Sequence, residues 1–441
     1  MTDSDTKDIF SKKKSLLITN VVTAEGKQVD IFIDGQETIS DFGNEIRKQH
    51  RGEADFIIDG DGAIVLPGLS NTHTHAAMSL LRGYADDMIL QDWLSQKIWP
   101  LEAHLTADDV YWGTKLACLE MIRTGTTAFN DMYFQMESAA KAVDEAGIRA
   151  VLSYGFIDLS LPEKRENECK ATEKLVAHIK AMNNSRIKAA AGPHAIYTVS
   201  PEGLKWCAEF AREQDIPVHI HLSETEKEVT DCVTQHGKRP AQLLDECGIL
   251  THTTIAAHGC WLDDDECTLL GKRGVFVSHN PASNMKLATH RALPYQKLNE
   301  AGAPVCIGTD GCASNNNLDL FEEVKTAALL QKFFWNDPTI LPAPAALAMA
   351  TTTGAKALGF GTGILATGAP ADLILVANHT PCNTPLHNIP SNLVYSCNGD
   401  SVETTICNGK VLMLHHEIPG EHEILSKASH AAMQLVKRAQ A

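Results

Sequence analysis

The sequence lacks the segments and surfaces that mark membrane-bound, secreted and nucleic-acid-binding proteins. No run is apolar enough for long enough to span a bilayer, and residues 1–14 lack the apolar core of a signal peptide. Acidic residues outnumber basic ones by 55 to 38, which gives a net charge of −17. Such a surface repels phosphate backbones and anionic lipids. We therefore expect a cytoplasmic protein with no nucleic-acid partner and no membrane partner.

Cysteine occurs twelve times, but never in the spacing of a metal-binding pair. No Cys-x-x-Cys is present, and Pro381-Cys382 lacks the second cysteine that would complete the zinc signature of the cytidine-type deaminases. Because buried free thiols are common in helices and strands, we interpret these cysteines as reduced residues.

The composition is that of an ordinary globular protein. Apolar residues make up 44% and charged residues 21% of the 441 positions, which is enough for a large core. This length allows two or three domains, or one large barrel with an appendage.

Both ends of the chain alternate in short strand-like runs. Residues 15–22 and 29–35 form two such runs near the start, and residues 371–376, 402–407 and 410–413 form three near the end. Asn408-Gly409 between the last two runs is a strong hairpin signal. We predict that residues 1–66 and 365–425 meet in one small β-sandwich, followed by a C-terminal helix over residues 426–441.

Between the ends, strand-like and helix-like patterns alternate. Helical stretches such as 108–123, which Thr106 and Asp109 open with a capping-box pattern, separate eight apolar runs. The runs are residues 63–66, 126–129, 150–156, 187–191, 217–222, 254–257, 275–278 and 304–308. This α/β pattern predicts a (β/α)8 TIM-type barrel over residues 67–364, whose chemistry would lie at the C-terminal ends of the strands. Polar residues do follow these runs, namely His73, His75, Asp131, Asp158, His194, His221, Glu224, His258, His279 and Asp310.

Two histidines follow the first run. Only one residue separates His73 from His75, and side chains at i and i+2 of a strand point to the same face. The pair can therefore direct two imidazoles at one point, as a metal ion requires. His221 and Asp310 end two later runs at the same rim. Three imidazoles and one carboxylate suit Zn²⁺, with Fe²⁺ as the alternative, although Asp310 alone could also cap a helix.

Two further rim residues could act on the water that completes such a site. A bound Zn²⁺ lowers the pKa of its water from about 15.7 to about 7 and so supplies hydroxide at neutral pH. His258 is placed to hold and polarise that hydroxide, unless it is a helix-capping or core histidine. Glu224, three residues after His221, is placed to shuttle a proton. Glu226 and Glu228 follow closely, so Glu224 could instead be a solvated loop charge.

Two nearby residues are expected to lie outside the ligand set. His219 shares a face with His221 but lies deeper, so we expect it to pair with a backbone carbonyl or a carboxylate. Barrels of this kind that hold two metals need a bridging carboxylated lysine at the end of the fourth strand. Lys188 stands at the start of that strand, which predicts a single metal ion per subunit.

Five motifs contain these rim residues or lie beside them. They read NTHTH at 71–75, LRGYADD at 81–87, HLSET at 221–225, SHNPASN at 278–284 and GTDG at 308–311. In these motifs the sequence resembles the amidohydrolase superfamily, and more narrowly the 5′-methylthioadenosine/S-adenosylhomocysteine deaminases. The resemblance covers nearly the whole chain.

The resemblance implies a zinc site, proton-transfer groups and substrate contacts. The implied zinc ligands are His73, His75, His221 and Asp310, the proton-transfer groups are Glu224 and Asp310, and the substrate contacts are Trp93, Glu102 and His194 together with Glu224 and Asp310.

These roles are chemically reasonable, although each has an alternative. A carboxylate such as Glu102 can accept hydrogen bonds from two vicinal hydroxyls, as in a ribose, but it could also be an exposed charge. Trp93 offers a stacking face to a purine or a thioether, but its helical spacing equally favours burial against the barrel. Some relatives place a substrate-binding arginine after the third strand. The nearest arginine here, Arg165, aligns poorly, so the resemblance leaves recognition of an amino-acid tail open.

We therefore expect a zinc-dependent hydrolytic deaminase of 5′-substituted adenosines such as methylthioadenosine and S-adenosylhomocysteine, with release of ammonia. The partner would be a small nucleoside, and the enzyme could form a homo-oligomer. The alternative is an aminohydrolase or chlorohydrolase acting on guanine, another purine, a pterin or a triazine. A non-catalytic scaffold on the same barrel is a third reading, but the complete set of metal-ligand candidates disfavours it.

Overall fold

The structure, a computed structural model, describes residues 8–440, apart from the side chains of residues 90 and 91. Sixteen strands form two sheets within this range. They are β1 (Ser15–Thr23), β2 (Gln28–Asp34), β3 (Asp41–Gly43), β4 (Phe56–Asp59), β5 (Ile64–Pro67), β6 (Leu69–Thr74), β7 (Thr126–Tyr133), β8 (Arg149–Phe156), β9 (Ile187–Pro193), β10 (Val218–Leu222), β11 (Thr254–His258), β12 (Phe276–His279), β13 (Val305–Ile307), β14 (Leu373–Val376), β15 (Val402–Cys407) and β16 (Lys410–Leu414).

Helices connect strands β6 to β13 and cover the outer face of the sheet that these strands form. The α-helices are Arg47–His50, Leu90–Trp93, Trp99–Glu102, Ala107–Arg123, Met136–Ala146, Pro162–Met182, Pro201–Gln214, Glu226–His236, Pro240–Glu246, Asp264–Arg273, Pro281–Lys286, Tyr295–Glu300, Leu320–Trp335, Ala343–Ala348, Gly354–Leu358, Ile389–Tyr395 and Glu421–Ala439. Single 3₁₀ turns occupy Ala76–Leu81, Pro381–Asn383 and Gly399–Ser401, and π-helical turns occupy Leu94–Ile98 and Met349–Thr353. The capping box of Thr106 and Asp109 is confirmed, because each side chain accepts from the other residue's backbone N–H.

Strands β6 to β13 form the predicted (β/α)8 barrel. They lie side by side in chain order, and all seven neighbouring pairs are parallel. The barrel is nearly closed, because groups on the first strand meet groups on the last. The Asp310 N–H donates to the His73 carbonyl (2.9 Å), and the Thr72 hydroxyl donates to the Ile307 carbonyl (2.8 Å).

Both ends of the chain share the other sheet, as expected. Its strand order is β16-β15-β14-β5-β1-β2-β3, with β4 paired to β1, so the eight strands are hydrogen-bonded as one continuous sheet. One face buries a core of its own, which includes Ile18, Ile31, Val65, Leu375 and Ile406.

The assignment of the first barrel strand was wrong. The apolar run at 63–66 is β5, which belongs to the terminal sheet and pairs with β1 and β14. The barrel begins two residues later, at Leu69, and Gly68 separates the two strands. A Cβ atom on Gly68 would lie 2.1 Å from Thr127 Oγ1, so only glycine lets the chain pass this close to β7 while it changes sheets.

The C-terminal helix starts earlier than expected, at Glu421 rather than residue 426. It packs along the helix Ala107–Arg123, and two ion pairs join them, Arg123 with Glu421 and Arg438 with Asp109. Residues 1–7 of the predicted N-terminal segment and residue 441 of the predicted helix lie outside the described residues. Between residues 8 and 440, no helix combines the length and apolar character that crossing a membrane requires.

Candidate active site

One cavity opens at the C-terminal ends of the barrel strands. Eight of the nine predicted site residues line it, namely His75, Trp93, Glu102, His194, His221, Glu224, His258 and Asp310. The ninth, His73, is fully buried beneath the cavity, with its ring centroid 5.0 Å from that of His75. The structure thus brings together residues that lie more than two hundred positions apart in the chain.

Two imidazoles in this cluster have a defined tautomer. His75 Nδ1 lies 2.7 Å from the Met132 carbonyl, and His221 Nδ1 lies 2.7 Å from the His194 carbonyl. A carbonyl can only accept, so each Nδ1 carries the proton and each Nε2 presents a lone pair. The two Nε2 atoms are 3.3 Å apart, where lone pairs repel unless a cation lies between them.

His73 adds a third ring nitrogen to the same place. Its Nδ1 is paired with His219 Nε2 at 2.7 Å, whereas its buried Nε2 has no hydrogen-bond partner between residues 8 and 440 as far as these are described. Burial lowers the pKa of His73 to about 4 and the pKa of His221 well below its usual value, so both rings are neutral at pH 7. Neutral imidazole is the form that binds metals.

Asp310 brings a carboxylate to these nitrogens. Its Oδ1 lies 3.4 Å from His73 Nε2 and 3.3 Å from His75 Nε2. Ser283 and Ser314 donate to the other oxygen, at 2.6 and 2.9 Å. Burial raises the pKa of Asp310, but the neighbouring histidines outweigh burial and hold it well below its usual range. The aspartate is therefore ionised.

This donor set fits a divalent metal ion. Three imidazoles and one carboxylate converge, and His73 Nε2 has no hydrogen-bond partner among the described residues. Zn²⁺ and Fe²⁺ both accept such ligands. His258 is a further candidate ligand, because one of its ring nitrogens lies within 4.8 Å of ligand atoms of His73 and Asp310.

Three residues at this rim have left-handed backbone conformations. Ser223 has a φ of 48°, His258 of 77° and Asp310 of 63°. Non-glycine residues with positive φ are strained and cluster at functional sites. Each lies at or just beyond a strand end, where the chain must turn a polar side chain towards the cavity.

Glu224 follows Ser223 and lines the cavity as a nearly buried carboxyl. Burial raises its pKa to about 8, and the charge on Asp310 acts in the same direction. Glu224 is therefore protonated at neutral pH and can donate a proton to a bound molecule. His258 Nδ1 lies 3.8 Å from Glu224 Oε1 and 2.9 Å from Asn284 Nδ2.

Another part of the cavity wall holds Glu102, His194 and Trp93. Glu102 is half-buried and accepts a hydrogen bond from the Tyr133 hydroxyl at 2.7 Å. His194 Nδ1 is 2.8 Å from Thr198 Oγ1, and burial lowers the pKa of His194 to about 3. Trp93 is 5% exposed and also lines the cavity, so it can pack against the barrel and present part of its ring to a bound molecule.

Comparison with known proteins assigns the family. The model of the amidohydrolase family matches residues 64–412. This chain belongs to the amidohydrolase family. A 5′-deoxyadenosine deaminase of Methanoregula boonei is 78% identical over 440 residues, which cover 100% of this chain and 99% of that protein. A 5-methylthioadenosine/S-adenosylhomocysteine deaminase of Thermococcus sibiricus is 48% identical over 91% of this chain and 94% of that protein.

The structural comparison agrees. A crystal structure of an adenosine deaminase from Xanthomonas campestris, with bound zinc, has a TM-score of 0.88 and 34% identity, covering 97% of this chain and 99% of that one. Within the amidohydrolase family, the chain therefore belongs with the 5′-methylthioadenosine/S-adenosylhomocysteine deaminases. It is an enzyme, a metal-dependent aminohydrolase.

Several rim residues of this amidohydrolase lie outside the cavity wall. His219 pairs with the His73 ring, not with the carbonyl or carboxylate that we expected, because His73 Nδ1 faces it across the barrel interior. His279 is fully buried, and its Nε2 lies 3.4 Å from Gln331. Asp158 accepts from Arg165 Nε at 3.0 Å, which holds that arginine away from the cavity lining.

Other functional candidates were missed in the sequence. Tyr133 holds Glu102, and Ser283 and Ser314 hold Asp310. Glu228, which follows Glu224 closely in the chain, is 4% exposed and accepts from the backbone N–H groups of the two residues before Thr225. The spacing of Thr225 and Glu228 is that of a capping box, which predicts only that the Glu228 side chain turns back towards the start of the helix.

Proposed function

We propose that this amidohydrolase deaminates 5′-substituted adenosines by hydrolysis, as methylthioadenosine to methylthioinosine or S-adenosylhomocysteine to S-inosylhomocysteine. 5′-Deoxyadenosine belongs to the same class of substrate. The observation that carries the proposal is the full-length identity of 78% to a 5′-deoxyadenosine deaminase, together with the buried carboxyl of Glu224 beside the metal-ligand cluster.

We propose one Zn²⁺ per subunit, held by His73, His75, His221 and Asp310, with Fe²⁺ as the alternative. The ion, when bound, supplies hydroxide from water at neutral pH. The protein residues around it then have to orient the attacking oxygen and move protons.

Glu224 acts as the acid. It donates its proton to N1 of the purine, which makes C6 electrophilic. His258 orients the attacking water, and Asp310 accepts a proton from it as the bond from oxygen to C6 forms. Asp310 passes that proton to the exocyclic nitrogen, the bond from C6 to this nitrogen breaks, and the amine leaves as ammonia. The hydroxyl on C6 gives its proton to Glu224 as the carbonyl forms, so both carboxyls return to their starting states. The product keeps the oxygen at C6, so it is an inosine derivative.

Glu102 and His194 bind the ribose in this proposal. The Tyr133 hydroxyl donates to one lone pair of Glu102 Oε1. The second lone pair of Oε1 and both lone pairs of Oε2 can therefore accept from substrate hydroxyls. Trp93 provides an apolar face for the base or for the 5′-substituent.

The cavity lining favours uncharged 5′-substituents. Its acidic residues are Glu102, Glu224 and Asp310, and the lining contains no lysine or arginine among the described residues. Arg165 is bound to Asp158 and lies 3.6 Å from Glu202, so it does not offer a counter-charge. We therefore expect methylthioadenosine and 5′-deoxyadenosine to be better substrates than S-adenosylhomocysteine, whose tail carries a carboxylate as well as an ammonium group, because the lining offers that carboxylate no counter-charge.

A substrate panel on the zinc-loaded enzyme tests the proposal. The panel contains 5′-deoxyadenosine, methylthioadenosine, S-adenosylhomocysteine, adenosine, guanine and a chlorotriazine, with ammonia and chloride release as the measurements. We expect ammonia from the adenosines and none after removal of the metal with a chelator. Ammonia from guanine alone, or chloride from the triazine alone, would contradict the adenosine assignment.

Replacing Glu224 by glutamine tests the acid. Glutamine keeps the size of the side chain but has no acidic proton to transfer, so turnover should be abolished while the zinc content stays at the wild-type value. Glu226→Gln, at an exposed neighbouring position, is the matched control and should leave kcat unchanged. A Glu224→Gln enzyme with wild-type activity would exclude this role.

The cytoplasmic location and the homo-oligomer remain predictions from the sequence.

A further inference from the structure

Glu228 occupies an unusual place behind the catalytic rim. It is the third residue of the helix Glu226–His236, yet its carboxylate points back to the end of β10. Oε1 accepts from the Ser223 N–H and Oε2 accepts from the Glu224 N–H, both at 2.8 Å. Both oxygens are thus used on the two residues that turn the chain into the cavity.

The ordinary explanation for a glutamate at this position is a capping box. In a capping box the carboxylate would accept from the N–H of the N-cap residue, Thr225. The carboxylate instead accepts from the two residues before the cap, while the Thr225 hydroxyl caps the helix by accepting from the Glu228 N–H at 3.2 Å. Helix capping is therefore already provided, and it does not explain where the carboxylate lies.

The turn at Ser223 needs outside support. Its φ of 48° is in the left-handed region, which is unfavourable for a residue with a side chain. The buried Ser223 hydroxyl has no hydrogen-bond partner in the part of the chain that the structure describes, so the side chain does not stabilise the turn. The backbone carbonyl accepts from the Trp261 N–H at 2.9 Å, and the N–H donates to Glu228. Glu228 therefore accepts one of the two backbone hydrogen bonds that hold Ser223, and it also accepts the hydrogen bond from the Glu224 N–H.

Keeping this carboxyl buried is costly for folding. Burial raises the pKa of Glu228, whereas the N–H groups of Ser223 and Glu224, which donate to its two oxygens, favour the ionised form. Glu226 at the start of the same helix is exposed and shows that a glutamate is accommodated here without burial.

We propose that Glu228 is a positioning residue that fixes the backbone of Ser223 and Glu224, and so aims the Glu224 carboxyl at the substrate. This inference rests on the proposed role of Glu224 as the acid. Glu228 itself does not touch the substrate.

The test compares Glu228→Gln with Glu226→Gln in the zinc-loaded, full-length enzyme. Glutamine can satisfy only one of the two N–H groups, and its own amide group faces the other. A misplacement of about 1 Å at a catalytic group can cost about 100-fold, so we expect kcat to fall by about that factor. KM and zinc content should stay near the wild-type values, because the ribose contacts and metal ligands are untouched. Glu226→Gln should match the wild type.

Hydrogen exchange gives a second measurement that needs no substrate. In Glu228→Gln the backbone amides of Ser223 and Glu224 should exchange about tenfold faster or more, which corresponds to the loss of about 1.4 kcal/mol of protection. Exchange in a peptide spanning residues 222–228 should be unchanged in Glu226→Gln.

These measurements separate the inference from the proposed function. Unchanged exchange in Glu228→Gln overturns the positioning role even if the wild type deaminates adenosines, and so does wild-type kcat or a loss of kcat that follows loss of zinc. Faster exchange with reduced kcat supports the positioning role on whichever substrate of the panel is turned over. Failure of the wild type on every adenosine overturns the proposed function, whatever the exchange result.

Discussion

Replacing Glu102 by glutamine tests whether the cavity recognises a ribose. The Tyr133 hydroxyl donates to Oε1 of Glu102 at 2.7 Å, so the carboxylate still has lone pairs for two substrate hydroxyls. Glutamine offers a single acceptor oxygen and would place an NH₂ group against one of these donors.

The size of the effect follows from the hydrogen bonds that change. A hydrogen bond to a charged group contributes about 1.5–3 kcal/mol, and one between neutral groups about 0.5–1.5 kcal/mol. Weakening two such bonds therefore costs about 2–3 kcal/mol, or roughly 30- to 150-fold in kcat/KM for 5′-deoxyadenosine. With 2′,5′-dideoxyadenosine, which lacks one hydroxyl, the loss should be much smaller.

The pH dependence has a defined sign. Burial raises the pKa of Glu102 to about 7, against the opposing effects of Tyr133 and His75. Below pH 7 the carboxyl is protonated and cannot accept from both hydroxyls, whereas above pH 7 it is ionised and can. The ratio of kcat/KM for 5′-deoxyadenosine over 2′,5′-dideoxyadenosine should therefore rise as the pH passes about 7.

Steady-state kinetics with both nucleosides between pH 5 and pH 9 is the assay, because effects on the chemical step cancel in the ratio. Glu163→Gln, at an exposed glutamate outside the cavity lining, is the control. A Glu102→Gln enzyme that keeps the wild-type ratio at every pH would refute recognition of a ribose by this carboxylate.

Two further predictions concern the metal cluster and the folded state. Gly308→Ala would place a Cβ atom 2.8 Å from the His73 backbone nitrogen and Cβ, so we expect lower zinc content by elemental analysis, whereas Gly52→Ala, with no atom within 4 Å, should bind zinc normally. Burial raises the pKa of Glu323 to about 8, so the folded state retains a proton there that the unfolded chain loses above about pH 4.5. That stabilisation is present below pH 4.5 and is lost as the pH rises through 8. We measure the free energy of unfolding of Glu323→Gln and of the wild type by denaturant titration. The difference, variant minus wild type, should increase by a few kcal/mol from pH 5 to pH 9, and a difference that does not change with pH would contradict the assignment.

The barrel could be predicted because its strands are short apolar runs between helical patterns. The misplaced first strand shows the limit of that signal. Both β5 and β6 are buried, and only Pro67 and Gly68 separate their apolar cores. A run of buried residues predicts a strand, but it does not tell which sheet the strand joins. That choice depends on partners such as β14, more than three hundred residues away.

The cluster of metal-ligand candidates could be predicted for a similar reason. Each candidate follows an apolar run, and the C-terminal ends of all barrel strands meet at one rim. The supporting contacts could not. His219 binds His73 from a strand 146 residues away, and no pattern near either residue encodes that pair. The burial of Glu228 could not be predicted, because it lies in a run of charged residues and its neighbours Glu226 and Lys227 are exposed.

The shared sheet has a consequence for how the protein is made. Strands β1 and β5 leave the ribosome before the barrel, whereas their neighbours β14 to β16 follow it in the chain. Residues 8–67 must therefore wait, with the edge of β5 unpaired, while the whole barrel is synthesised. A premature stop just before β15 would delete β15 and β16 together with the helix Glu421–Ala439, and it would thereby destabilise strands near residue 15 as much as those near residue 375.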